Sequence, residues 1–424
     1  MKRKWIALLV MVALMGSLFG CRQEIPEGSV PTSTTPQTTT QPTGGEDAAP
    51  STEYTIPLVT GSLLTSRLEV QPWDAGRCAQ TTRATMAETE QGYYYNYNGY
   101  LYYADKSNLT QWVPVCTKPD CLHSYFVQNC MARIGGSEFI LEDDRLISMG
   151  SAQYSDVGFS SRALDGTDIQ EEFSFTQGWE KLSMGGGASR AIITPTYRVL
   201  SLFSMNQTGT YDYTLWTEVD GEEQLLFSTE VESFSSCSSL FSCNSDQIWF
   251  TDEVMDGESG ETRLYRIEDG ALHSLNITGL EIRGCYLDDQ RALSFRAGDG
   301  YYQIDLETRQ EQKLSDVQCE DCSAVIVRPN CIVESTLGWS SDRDKIQTHQ
   351  LLVFNGQQWR SVALPEEIQQ IGDTEILSFL ALTSDRLLFT FYNSEEPYQK
   401  RKLVFYQVRL DADALVLEYA GKMQ

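Results

Sequence analysis

Histidine is scarce, with three in 424 residues, a thin supply for acid–base or metal chemistry. Positive charge is also short: 32 Lys and Arg stand against 59 Asp and Glu, for a formal charge of -27. Phosphate binding needs clustered cations, so nucleic acid is excluded as the main partner. Long apolar runs are missing beyond the N-terminal stretch, which sets aside a multi-span membrane protein. Sustained helical periodicity is rare, and Glu366–Leu377 is the best stretch of it. No Gly-x-Ser-x-Gly elbow, Walker loop, His-Glu-x-x-His or dinucleotide fingerprint occurs. What is present suffices for a large core: 41% hydrophobic residues, 11% of the chain aromatic, which excludes wholesale disorder.

The N-terminus carries an address. Lys2, Arg3 and Lys4 precede an apolar stretch, Trp5 to Leu18, too short for a comfortable membrane span and suited to a signal-peptide core. It ends in Leu18-Phe19-Gly20-Cys21, which resembles a lipobox, and that resemblance implies a diacylglycerol on the Cys21 thiol. Residues 1–20 are then the signal, and removing their three positive charges takes the net charge from -27 to -30. Residues 21–52 hold the lipidated cysteine and a linker. Its segment Pro31–Gly45 has seven threonines and no large apolar side chain, so it cannot offset its ordering entropy. At about 3.1 Å per residue, such a tether reaches on the order of 95 Å. The expectation is a monomer anchored by lipid in the outer leaflet, on the extracytoplasmic face of the cell membrane.

From residue 53 to 424 the pattern is short, period-two strands separated by turn residues. Asn98-Gly99, Asp269-Gly270 and Asn355-Gly356 each sit between two such strands as hairpin turns. The hairpins recur in units beginning near Thr81, Ser137, Ser183, Ser238, Ile282, Cys322 and Glu375. Four strands per unit at this spacing predict an all-β fold, a β-propeller of about seven four-stranded blades, with six or eight as neighbouring counts. Residues 53–80 are expected to add a strand that closes the ring.

One segment concentrates chemistry. Cys116, Cys121, His123 and Cys130 put three cysteines and one of the three histidines within a short stretch, and the Lys118-Pro119-Asp120 turn folds Cys121 back towards Cys116. A Cys3His set is a tetrahedral ligand set for structural zinc. Disulfide bonding is the competing reading in an exported chain, since ten cysteines remain after Cys21. Both readings stay open on the sequence. The segment from Tyr93 to Cys130 resembles that of a group of lipoproteins from gut clostridia: a Tyr-rich hairpin, Cys-x-Lys-Pro-Asp-Cys-x-His, then a third cysteine. The resemblance implies a surface lipoprotein with a propeller-like body, and it implies no activity.

The remaining cysteines suit loop-stapling bridges: Cys237 with Cys243, and Cys319 or Cys322 with Cys331. Tyrosine is abundant, with seven between Tyr93 and Tyr103. Tyr93, Tyr95, Tyr97 and Tyr102 are candidates for an aromatic platform against sugars or peptides, with packing between blades as the other reading. The function these observations favour is a surface-anchored binding module for a protein, peptide or glycan. Its alternatives are a glycan-active hydrolase or lyase on a propeller fold, and an extracytoplasmic sensor for a membrane partner.

Overall fold

The structure, a computed structural model, describes residues 86–423 apart from 122, 124–129, 135–138, 151–156, 177–188, 195–196, 206–208, 232–238, 245–246, 257–258, 279–285, 289, 297, 320–323, 338–348, 370–374 and 394–402. The signal, the linker and residues 53–80 therefore lie outside the described residues. Among the described residues, no helix is long and apolar enough to cross a membrane.

Turn chemistry sets the hairpins. Asn98 and Gly99 have φ of 53° and 76°, and Asp269 and Gly270 have 48° and 67°, the paired positive values that match the twist of two-residue hairpins. Asp220-Gly221 makes a further turn of this kind, at 53° and 81°. A second device recurs at the turn from first to second strand. Thr89, Thr194, Asp288 and Thr383 each accept, through a side-chain oxygen, the backbone N–H three residues on, at 2.8, 2.9, 2.9 and 3.2 Å.

These turns build seven four-stranded antiparallel sheets, each a meander of consecutive strands. The blades span 86–114, 139–175, 189–231, 239–278, 286–316, 324–361 and 375–422. Their first strands begin at Met86, Phe139, Ser189, Ser239, Tyr286, Ala324 and Glu375, within a few residues of the units expected from the sequence. The seventh blade draws four strands from 375–422, and the strand expected from 53–80 lies outside the described residues.

The core lies in the seams between blades. Leu101 and Tyr94 of blade 1 pack with Phe139 and Leu146 of blade 2. Leu387 and Phe389 of blade 7 pack with Val333 and Leu351 of blade 6. The ring closes where Phe405 and Leu388 of blade 7 meet Met86, Tyr95 and Trp112 of blade 1. Alternate residues of one strand serve opposite seams, because successive side chains point to opposite faces. Tyr93 and Tyr95 enter the closing seam, while Tyr94 enters the next.

That alternation corrects the aromatic-platform reading for Tyr93 and Tyr95. Tyr93 is 0% and Tyr95 is 3% exposed, and Tyr97 and Tyr102 pack partly buried against the same cluster. Tyr93 and Tyr95 are thus spent on packing between blades, while Tyr97 and Tyr102 keep part of their surface exposed. The helical stretch is corrected as well. Among the described residues helix covers Glu366–Gln369, with Ile368 buried, and Glu375 already opens the first strand of blade 7. Packing into the ring outweighs the local period.

A polar latch ties the closing seam. The Glu88 carboxylate accepts from Lys106 Nζ at 2.5 Å, Ser384 N at 2.9 Å and Ser384 Oγ at 2.6 Å. Beside it, Asp385 accepts from Arg386 Nε at 3.0 Å, Arg386 Nη2 at 2.8 Å and Tyr93 Oη at 3.3 Å. Burial works against the Asp385 carboxylate, but the Arg386 hydrogen bonds and charge outweigh it and hold its pKa below the ordinary aspartate value. A lowered folded pKa contributes stability that is fully present above the ordinary value of about 3.9 and is lost as pH falls from there through the lowered folded value. Asp385→Asn is therefore expected to be about 2 kcal/mol less stable at pH 7, a typical cost for hydrogen bonds to a charged group. The gap should narrow below pH of about 4; denaturant melts at pH 7 and pH 3 check this, and a constant gap would contradict it.

Candidate metal centre

The four candidate ligands lie in residues 115–138, the connection from the outermost strand of blade 1 to the innermost strand of blade 2. The outer strand ends at Pro114, and the Cys121 N–H bonds to the Lys118 carbonyl at 3.3 Å, closing the Lys-Pro-Asp turn. The connection returns to blade 1 at Cys130–Ile134. Leu101 N donates to Ala132 O at 2.7 Å, Ile134 N donates to Gly99 O at 2.8 Å, and Arg133 bridges to Tyr100. Cys130, Ala132 and Tyr100 form a small buried cluster, with Cys116, Cys121 and Tyr102 packed against it.

This fold-back brings the donors together. One ligand atom each from Cys116, Cys121, His123 and Cys130 lies within 4.8 Å of all the others. His123 Nδ1 is 3.5 Å from Cys130 Sγ. A tetrahedral zinc ion, with Zn–S of about 2.3 Å and Zn–N of about 2.0–2.1 Å, sets sulfur and nitrogen about 3.6 Å apart. The donor set thus fits a zinc-type ion, and such a group could hold a metal. His123 sits at φ 47°, a backbone conformation uncommon outside glycine, here at a ligand position.

The sulfurs are prepared for negative charge to different degrees. Burial opposes ionisation of Cys116, but the backbone N–H groups of Lys118 and Met131, with the thiols of Cys121 and Cys130, outweigh it and lower its pKa. Burial pushes the Cys130 thiol up to about 12, aided by Cys121 and opposed by the backbone N–H of Ala132. Backbone N–H groups aimed at ligand sulfurs are typical outer partners of thiolate metal sites.

Cys116, Cys121 and Cys130 are free thiols. A disulfide gives His123 no role in the group, whereas a metal uses all four residues. Cys319 and Cys331 are both buried, and Cys331 is a free thiol. Cys319 Sγ lies 3.5 Å from Gln350 Oε1, and burial pushes the Cys331 thiol up to about 12. Cys21, Cys237 and Cys322 lie outside the described residues; Cys243 lies in the strand Ser239–Asn244.

Besides the Glu88 and Asp385 latch, the buried Glu334 and Arg162 also escaped the sequence reading. Glu334, 0% exposed, accepts from Tyr301 Oη at 2.8 Å, Cys319 N at 2.8 Å and Gln318 N at 3.0 Å. A carboxylate inside the apolar run Cys331-Ile-Val-Glu was its available signal. Arg162, in the strand Val157–Ala163 of blade 2, had no such signal, because its partners belong to the connection before that blade.

No family model matches the chain, and no curated protein matches it in sequence. Among solved structures, it is similar to a puromycin hydrolase at 10% identity and a TM-score of 0.47, covering 84% of this chain and 57% of that one. The chain thus spans little more than half of that hydrolase. It is similar to oligogalacturonate lyase from Vibrio parahaemolyticus at 11% identity and a TM-score of 0.46, covering 81% and 92%. An oligogalacturonate lyase in complex with manganese matches at 13% identity and a TM-score of 0.45, covering 82% and 96%. Likeness at this level assigns this chain no activity.

Proposed function

We propose that this protein is a lipid-anchored, extracytoplasmic propeller that binds a protein, peptide or glycan through one face of its ring, with zinc at Cys116, Cys121, His123 and Cys130 as a structural part of that face. The carrying observation is the asymmetry of its connections. In a ring of such meanders, the turns from first to second and third to fourth strand leave from one end of the strands, and all other connections leave from the opposite end. The first set is short, as at 89–91, 143–144, 220–221 and 269–270. The second set includes 115–138, 176–188, 336–350, 362–374 and 394–403. Long connections on a rigid scaffold are where binding residues concentrate.

Zinc suits this face as a fastener. Four protein donors complete a tetrahedron and leave no open position for substrate, which is the character of a structural site. Its work is to fix a long connection between two blades. The acidic body, -27 overall, suits a ligand reached at a distance from anionic lipid, with the tether providing the reach.

The test uses the chain from Arg22 onward, zinc-loaded, on glycan and peptide arrays. Saturable binding without product supports the proposal, and replacing segments of the long connections should weaken it. Turnover of a bound glycan would instead make the propeller an enzyme.

A further inference from the structure

We propose that Arg162 is the counter-charge of the Cys116–Cys121–His123–Cys130 centre and clamps that centre to blade 2; this rests on the metal reading above. Arg162 is 4% exposed, so its guanidinium has left water almost entirely. Its Nη1 donates to the carbonyls of Met131 at 2.7 Å and Arg133 at 2.9 Å, directly after the last ligand, Cys130. Among the described residues, Arg162 forms no ion pair with a carboxylate, and its Nε meets no hydrogen-bond partner. A buried cation held only by neutral carbonyls costs several kcal/mol. Burial weakens the hold of Arg162 on its proton, and the group that opposes this is Cys130.

The charge arithmetic supplies the missing partner. Three thiolates and a neutral imidazole around a divalent ion carry one net negative charge. The guanidinium brings that sum to zero on the side of Cys130, the one buried ligand, where an uncompensated charge of either sign would be expensive. The surrounding geometry fits a clamp. Tyr94 Oη of blade 1 donates to the Leu164 carbonyl of blade 2 at 3.1 Å. At Gly166, with φ of 85°, a Cβ would stand 2.7 Å from the Val115 carbonyl and 3.5 Å from that of Met131. Blade 2 therefore presses on both ends of the cysteine connection, and Arg162 adds the charge. Metal binding and burial of Arg162 stabilise each other in this arrangement. Arg162 acts through the ligands and their backbone, so it is a positioning residue.

Two substitutions separate charge from hydrogen bonding in the full chain. Arg162→Lys keeps the charge, and Arg162→Gln keeps a donor without it. Zinc affinity is measured by competition with a chromophoric chelator, and Co(II) exchange reports the ligands through its sulfur-to-cobalt charge-transfer bands. Loss of an outer partner of a metal ligand typically costs about 10–100-fold in affinity. Arg162→Gln should fall in that range, while Arg162→Lys should stay within about threefold of wild type, with the Co(II) bands retained. Equal affinity in all three chains, or equal loss in both variants, overturns the counter-charge. If Arg162→Gln does not fold, Arg162→Lys decides, and a tenfold loss there overturns it. A wild-type chain that takes up neither zinc nor Co(II) overturns the metal reading itself, before any variant is compared.

Discussion

Cys130→Ser should lose the metal and about 3–5 kcal/mol of stability, the range for stripping a buried charge of its partner. At about 2–4 °C per kcal/mol, the melting temperature drops by on the order of 10 °C. Cys130 is the most deeply placed ligand, 6% exposed, and it packs with Tyr100 and Ala132 where the connection rejoins blade 1. Under the proposed zinc reading, losing its sulfur leaves three donors, one short of the closed tetrahedral set. A strong chelator should bring wild type down to the melting temperature of the variant and leave the variant unchanged. Reductant should move neither. The reverse pattern, sensitivity to reductant with indifference to chelator, is the signature of a disulfide and would contradict the site as described.

Phe405→Ala should be equally costly at the other critical place, the closing seam. Phe405 is fully buried, stacks on Trp112 with ring centroids 4.3 Å apart, and meets Tyr95 edge-on at 5.7 Å. It belongs to blade 7, while both partners belong to blade 1, so its ring spans the junction between the first and last blades. Truncating a buried phenylalanine costs about 3–5 kcal/mol through lost transfer energy and the cavity left behind. Gly421 makes the same point through the backbone. A Cβ there would stand 2.3 Å from the Leu109 carbonyl oxygen, so Gly421→Val forces the outer strands of the two blades apart. Hydrogen exchange is the appropriate readout. Protection should fall together in blades 1 and 7 for either variant, ahead of blades 3 and 4. Protection lost in blade 7 alone would show that the ring is not held shut by this seam.

The repeat was legible in the sequence because propeller blades are local. Each blade is a meander of consecutive strands, so the turn residues that punctuate it, Asn98-Gly99 and Asp269-Gly270 among them, sit beside the strands they join. The ligand group was legible for the same reason: its four residues fall between 116 and 130. What escaped was contact between blades. The Tyr93 and Tyr95 side chains look surplus along one strand and are accounted for only when blade 7 covers them. The pairing of Glu88 with Ser384 and the approach of Arg162 to Met131 join positions that no local pattern relates. A ring whose end meets its beginning puts its most informative contacts at the greatest separation along the chain.

The central claim is that Cys116, Cys121, His123 and Cys130 form one metal centre. Metal analysis of the purified chain, paired with thiol alkylation and mass mapping before and after chelation, tests it most directly. The expected result is one zinc per chain, with Cys116, Cys121 and Cys130 protected from alkylation until the metal is removed. A metal-free chain that carries a disulfide between two of these cysteines, or that alkylates all three at once, would contradict it.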